Sequence, residues 1–342
     1  ADKSVTSKGS IVLLAEGQDA QDYTSIIAGG ALNSSAGSVT LQSNNSIETE
    51  STVTAKTNVT IVSTGKDGGG NAIESHVRLG GAVKAGNKLR IEAPRIFSMF
   101  AITAKDIEIT ARELIELGSI TTTTNSSEIL LKANGTSQVA GRIHVLGAIK
   151  ALGHVVASAG TYAENTLGSI LLEGAVSAAN GHVILFAMGD IRLLSAVSSA
   201  KGSVELDARA GGNIHTMALT GWEVKLSAEG GSVKAGGAVS SSYTGLEILA
   251  HSGIELRETA KGVGVTLSSQ TGSVIARKAI TSTSALKIYG DVVDVNVLTA
   301  KTDVTIERYD HAGNAGTALS TVTLHGAVAG GGLVSIKAVG DI

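Results

Sequence analysis

What most limits the folds open to this chain is a phrase that keeps returning, and its cleanest copy runs from Ser169 to Leu185, SILLEGAVSAANGHVIL. Three short apolar stretches, Ile170 to Leu172, Ala175 to Ala178 and Val183 to Leu185, are separated by glycine-containing corners at Glu173-Gly174 and Asn180-Gly181. Each stretch is too short to bury a face alone. Such a unit must stack on its own copies, so that backbone groups pair from rung to rung while apolar side chains fill the interior.

The copies are plain once the phrase is known. VRLGGAVKAGNKLRI begins at Val77, IHVLGAIKALGHVVA at Ile143 and VTLHGAVAGGGLVSI at Val322. A shorter half-phrase, an apolar pair and Ser or Thr followed by an alternating strand, recurs from Ala101, Ala196, Ala218, Ala238, Ala279 and Val297. Strand starts at Val204, Val224, Leu246, Val265, Leu286, Val304 and Val322 step by roughly 20 residues, the spacing of a solenoid. The expected fold is all-β: a parallel β-helix solenoid with roughly 20 residues and three short strands per coil. It is expected to run as a single continuous body over residues 1–342, because each coil needs only its neighbours.

Composition agrees with a narrow tube. Hydrophobic residues make up 43% but aromatics only 3%, so the interior must be Val, Ile, Leu and Ala in stacked columns. The 43 glycines supply corners, while a single proline, Pro94, leaves the ladder its donors. A net charge of −3 without a Lys/Arg stripe argues against nucleic acid as a partner. No apolar run is long enough for a membrane helix, so no membrane insertion is expected. With no cysteine, disulfides and thiolate chemistry are excluded.

Read in order, Ala1 to Lys8 look like a polar lead-in and the first coil strand is Ser10 to Leu14. Polar excursions interrupt the repeat near 15–28, 63–75, 132–142, 157–168 and 307–320. VTAKTNVTI at Val53 and LTAKTDVTI at Leu298, and likewise the phrases at His76 and Thr321, share one offset of 245 residues, as duplication of a multi-coil block would leave. Ile107 to Leu117 has some helical spacing, but it continues the phrase AITAKDIEI and is read as strand.

Insertions at one phase of a solenoid project from one corner as a ridge. That ridge carries the least repetitive side chains: Asp19, Asp22, Tyr23, Asp67, Asn71, Tyr162, Glu164, Asn165, Tyr309, Asp310, His311 and Asn314. Tyr with Asn and Asp suits contact with sugar or protein, against the plainer reading of solvated loops. The histidines, His144 and His154 among them, show no carboxylate or second histidine at ligand spacing, and no metal or other cofactor is expected. Charged residues such as Glu205, Glu223, Lys225, Glu247 and Lys287 alternate outward along strands without forming a catalytic dyad, so the chain reads as no enzyme. TTTT at Thr121 would need repetition on successive coils to make an ice-binding array.

The phrases GAVSAANGHVIL, AVSSAKGSVELDARAGGNI and AITSTSALKIYGDV resemble the coils of filamentous-haemagglutinin-type large exoproteins, adhesins exported by two-partner secretion. The resemblance spans nearly the whole chain. It implies a right-handed helix, an extracellular or cell-surface location and an adhesive or matrix role. The NPNG- or NPNL-like signals of that family's secretion domain are missing, so the likeness is to the shaft. The expected function is a non-catalytic structural or adhesive rod binding a host or matrix protein or a carbohydrate. The alternative is a filament or sheath subunit that binds itself end to end through Ile11, Val12, Leu13, Val334, Ile336 and Ile342, with a polysaccharide-active enzyme third.

Overall fold

The structure is a computed structural model that describes residues 3–16, 24–67, 70–161, 166–308 and 321–338. Every regular element among them is a β-strand, and every pairing between strands is parallel except for two isolated bridges in loops. The chain forms two compact units, Ala1–Asn180 and Gly181–Ile342.

In the first unit one coil is represented by Leu32–Ser34, Val39–Ser43 and Ile47–Thr49, which lie on three successive faces. Each strand pairs with the same face of the next coil: Leu32 with Val53, Val39 with Val59 and Ile47 with Val77. Among the described residues no strand pairs with another of its own coil, which is the defining topology of a parallel β-helix. The period of two along a strand sends alternate side chains inward. On the second face, Val39, Val59, Leu89, Ile107, Ile129 and Val155 therefore make one buried column. The third face has its own in Ile47, Val77, Ile96, Ile115 and Ile143. A column of like β-branched and Leu side chains packs without gaps, because each rung offers its neighbour the same shape.

The corners explain the invariant parts of the phrase. Between the third and first faces, an added Cβ on Gly147 would meet the backbone of Gly118 at 2.8 Å, and one on Gly174 would meet the Gly147 carbonyl at 2.2 Å. The G-A pair is thus a close approach of successive rungs. At the end of the first face, the inward position holds a small residue. Where it is serine it bonds a corner carbonyl: Ser34 Oγ donates to Gly9 O at 2.6 Å and Ser282 Oγ to Val263 O at 2.8 Å. Those hydroxyls are buried yet satisfied.

The second unit repeats the coil in Leu219–Gly221, Val224–Ala228 and Ser232–Ala235, with the inward column Val204, Val224, Leu246, Val265 and Leu286 on its second face. The 245-residue offset also maps face onto face. Val53–Ala55 and Leu298–Ala300 are both first-face strands, and His76–Leu79 and Thr321–Leu324 are both third-face strands.

Two expectations are corrected. The polar lead-in contains a strand, Val5–Ser7, paired with Leu32–Ser34, since one inward Val5 beside Leu32 is enough to continue the column. The excursion near 15–28 ends in a third-face strand, Ile26–Ala28, which pairs with Ile47–Thr49. The segment Asp106–Leu117 is a strand throughout.

Candidate functional site

The interruptions of the first unit share one place in the coil. One lies between Ile11–Ala15 and Ile26–Ala28, a second between Val59–Ser63 and His76–Leu79, a third between Glu128–Ala133 and Gly141–Val145. The fourth lies between His154–Ala159 and Gly168–Leu172. All fall at the corner from the second face to the third. In the second unit Val304–Glu307 and Thr321–Leu324 bracket the fifth in the same way. The last inward residue before this corner is small, as in Ser63, Ala133 and Ala159, so a loop leaves there without removing a large side chain from the column.

Two coils turn this corner with no loop at all. Lys88–Ser98 and Asp106–Leu117 are single strands that run from the second face into the third. Their pairing holds from Lys88 with Asp106 to Ala93 with Ala111, then slips and resumes at Arg95 with Leu114. Pro94 thus stands opposite both Arg112 and Glu113, a bulge in which one strand carries an extra residue. A proline has no N–H for the ladder, and the only one in the chain sits where the ladder is already broken.

The missing loops leave a gap in the ridge. It is a groove of about 720 Å³, with Glu92, Pro94 and Thr110 on its floor, Thr64 and Lys66 on one side and Asn134 and Thr136 on the other. Two rungs of β-sheet span about 10 Å. That is room for one extended polymer strand lying along the rungs, and the lining sets charged and neutral hydrogen-bonding groups among apolar surface from Val62, Ala93, Pro94 and Ala111.

One end of the groove is anchored by alternating charges. Arg95 bonds Glu113 at 2.8 Å through Nε and Glu74, from the loop between Val59–Ser63 and His76–Leu79, at 2.6 Å through Nη1. Arg112, which lines the groove, donates to the other Glu113 oxygen at 2.9 Å. Burial pushes the Glu113 carboxyl up, but hydrogen bonds from Arg95 and Arg112 outweigh it and hold the group below its ordinary range. Arg95 is raised, chiefly by its bond to Glu113. A carboxylate that accepts from two guanidiniums is a structural tie, and Arg95 carries it on to Glu74. It fixes the loop to the bulged strands and sets the position of Arg112.

Of the expected ridge residues, Asp67 and Asn71 are described, and they bond each other: the Asn71 amide N–H and Nδ2 donate to the two Asp67 oxygens at 2.7 and 2.9 Å. They close the loop tip, beside the Lys66–Ala72 bridge. Asp19, Asp22, Tyr23, Tyr162, Glu164, Asn165, Tyr309, Asp310, His311 and Asn314 lie outside the described residues, as does Ile342. Of the proposed end contacts, Ile11 is buried, Val12 is exposed, and Val334 and Ile336 pair with Val304 and Ile306. Leu13 pairs with Leu41.

Histidines find carboxylates that linear spacing hides. His144 Nε2 lies 2.8 Å from Glu173 Oε1 and His325 Nε2 lies 2.7 Å from Asp294 Oδ1, each across one rung. Of the outward charges, Glu205, Lys225, Glu247 and Lys287 share one column, whereas Glu223 is at a corner. Glu92, Thr110, Arg112 and the Arg95–Glu113 tie were not anticipated. The available signal was negative: two consecutive coils without an excursion between two that have one. Comparison with family models, curated proteins and solved structures finds no match.

Proposed function

We propose that the chain is a non-catalytic, adhesive β-solenoid of the cell surface or extracellular matrix, whose loop-bearing corner grips a single extended polymer strand. The observation that carries this reading is the groove between loops on the two loop-free coils, open along the rungs, with charged and hydrogen-bonding groups set among apolar ones on a ladder-fixed floor. A rigid floor favours binding because little ordering remains to be done when the ligand arrives. Likeness of the repeat phrases to haemagglutinin-type exoproteins supplies the extracellular setting.

The test is surface-based binding of the purified chain to a panel of polysaccharides and matrix proteins, run beside Thr110→Phe. That substitution fills the floor of the groove while suiting a strand. At least one polymer should bind, and Thr110→Phe should weaken it tenfold or more. Binding that ignores the substitution, or release of new chain ends from a bound polysaccharide, would overturn the reading.

A further inference from the structure

The second unit carries a feature that the groove does not use. Trp222 and Tyr243 follow first-face strands, Leu219–Gly221 and Val239–Ser241, of successive coils. They therefore meet at the corner between the first and second faces, with ring centroids 5.4 Å apart and planes tilted by 37°. Both are exposed, at 42% and 69%. In a chain with one tryptophan and 3% aromatics, whose core is aliphatic, an exposed stacked pair is not spare core material.

The backbone beneath the rings is tied down. Trp222 N donates to Gly202 O at 2.9 Å, and the Trp222 carbonyl accepts from the amides of Tyr243 and Thr244 at 3.0 Å each and from Ser241 Oγ at 2.9 Å. The following coil places Gly262-Val263-Gly264 at the same corner, so no long side chain of that rung rises beside Tyr243. Next to the rings in the chain come Glu223, Ser242 and Thr244, all exposed and all with hydrogen-bonding side chains.

We propose that Trp222 and Tyr243 form a carbohydrate-binding platform that stacks on the C–H face of hexoses in a neutral glycan. A pyranose ring has one flat face of weakly positive C–H groups and a rim of hydroxyls. An aromatic face is negative at its centre, so the two attract, and polar neighbours take the rim. A protein partner would call for a different surround, since the centre of a protein interface is apolar and depleted in charge, whereas the exposed chain neighbours of this pair, Glu223, Ser242 and Thr244, are charged or polar. Of the unit's other exposed large apolar residues, Leu194 and Met217 lie at the corner between the third and first faces, and Val292, Leu333 and Val334 belong to coils two or more rungs further along the chain. Tyr and Trp have few rotatable bonds, and a ladder-fixed pair loses little freedom on binding.

The platform rests on the adhesive reading for its setting but not on the groove. Trp222, being the sole tryptophan, reports its own occupancy through intrinsic fluorescence. The full chain is titrated with cellohexaose, chitohexaose and mannohexaose, and affinities are checked by calorimetry in Trp222→Ala, Tyr243→Ala and Thr110→Phe. At least one hexaose should change Trp222 emission saturably. Tyr243→Ala should weaken that hexaose fivefold or more, Trp222→Ala should abolish it, and Thr110→Phe should leave the Trp222 response intact. If the groove reading fails, the emission change persists. If the platform fails, no hexaose alters the emission at 10 mM-scale concentrations on the order of weak lectin sites, or Tyr243→Ala binds as well as the parent. A shift produced only by phosphatidylcholine vesicles or by an apolar peptide would also overturn the sugar assignment.

Discussion

The two units use the same coil and differ in where they depart from it. In the first, four loops leave at the corner between the second and third faces, and two strands without loops run through that corner on a bulge. In the second, the coils from Val183 to Val295 turn the same corner in a few residues, as in Met188-Gly189-Asp190 or His251-Ser252, one excursion follows Val304–Glu307, and the distinctive surface is the aromatic pair at another corner. Both keep the inward columns aliphatic and closed. Corners are free to vary because the ladder on either side already satisfies its own backbone, while a column position has neighbours above and below that admit no change of shape.

The sharpest way to break this equivalence is to charge a column in each unit. Ile109→Lys in the first and Leu226→Lys in the second are both fully buried sites, and each should cost about 4 kcal/mol or more, read as loss of the cooperative melt by circular dichroism. Tolerance of one and not the other would show that the units are not held by the same means. Next comes Gly147→Val, which forces a Cβ against the Gly118 backbone and should cost about 2–3 kcal/mol by denaturant titration. Its counterpart, Gly211→Ala, has open space around it but a φ of +82°, and should cost only about 1 kcal/mol.

Charge ties separate the units more finely. Glu113 is held below its ordinary value in the folded state, so its contribution is complete above the unfolded value near 4.5 and is lost as pH falls through the lowered one. Melting temperature should therefore decline on acidification below about pH 4.5, and Glu113→Gln should flatten that limb while costing about 2 kcal/mol at neutral pH. In the second unit Glu255 is likewise lowered, first by its bond from Lys234 and then by that from Arg257, but its side chain is more exposed. Glu255→Gln should change stability by no more than about 0.5 kcal/mol and barely alter the acid limb.

Much of the fold was legible because the repeat states its own stacking rule. Gly-Ala marks the close approach at one corner, alternation marks the inward columns, and the interruptions mark the corner that carries loops. Val5–Ser7 escaped notice because a first-face strand needs one inward apolar residue, and Val-Thr-Ser looks polar when it stands alone. Ile26–Ala28 was hidden by its polar approach. The groove was illegible for another reason. Its parts, near residues 64, 92, 110 and 134, are full coils apart and become neighbours only when coils of unequal length are laid in register. The Trp222–Tyr243 pair was closer to hand, since ALTGW and AVSSSY place both rings directly after the same half-phrase.

The central claim is that each coil advances the chain by one rung, and it is most directly tested by a distance along one outward column of the first unit. Thr40, Thr60, Arg90, Glu108, Leu130 and Val156 stand in continuous register. The chain has no cysteine, so Thr40→Cys with Val156→Cys gives two clean spin-label sites. Five rungs place them about 24 Å apart. A narrow distribution near that distance by double electron–electron resonance is the result predicted, and a broad distribution, or one centred beyond about 40 Å, would contradict the stacked-coil account.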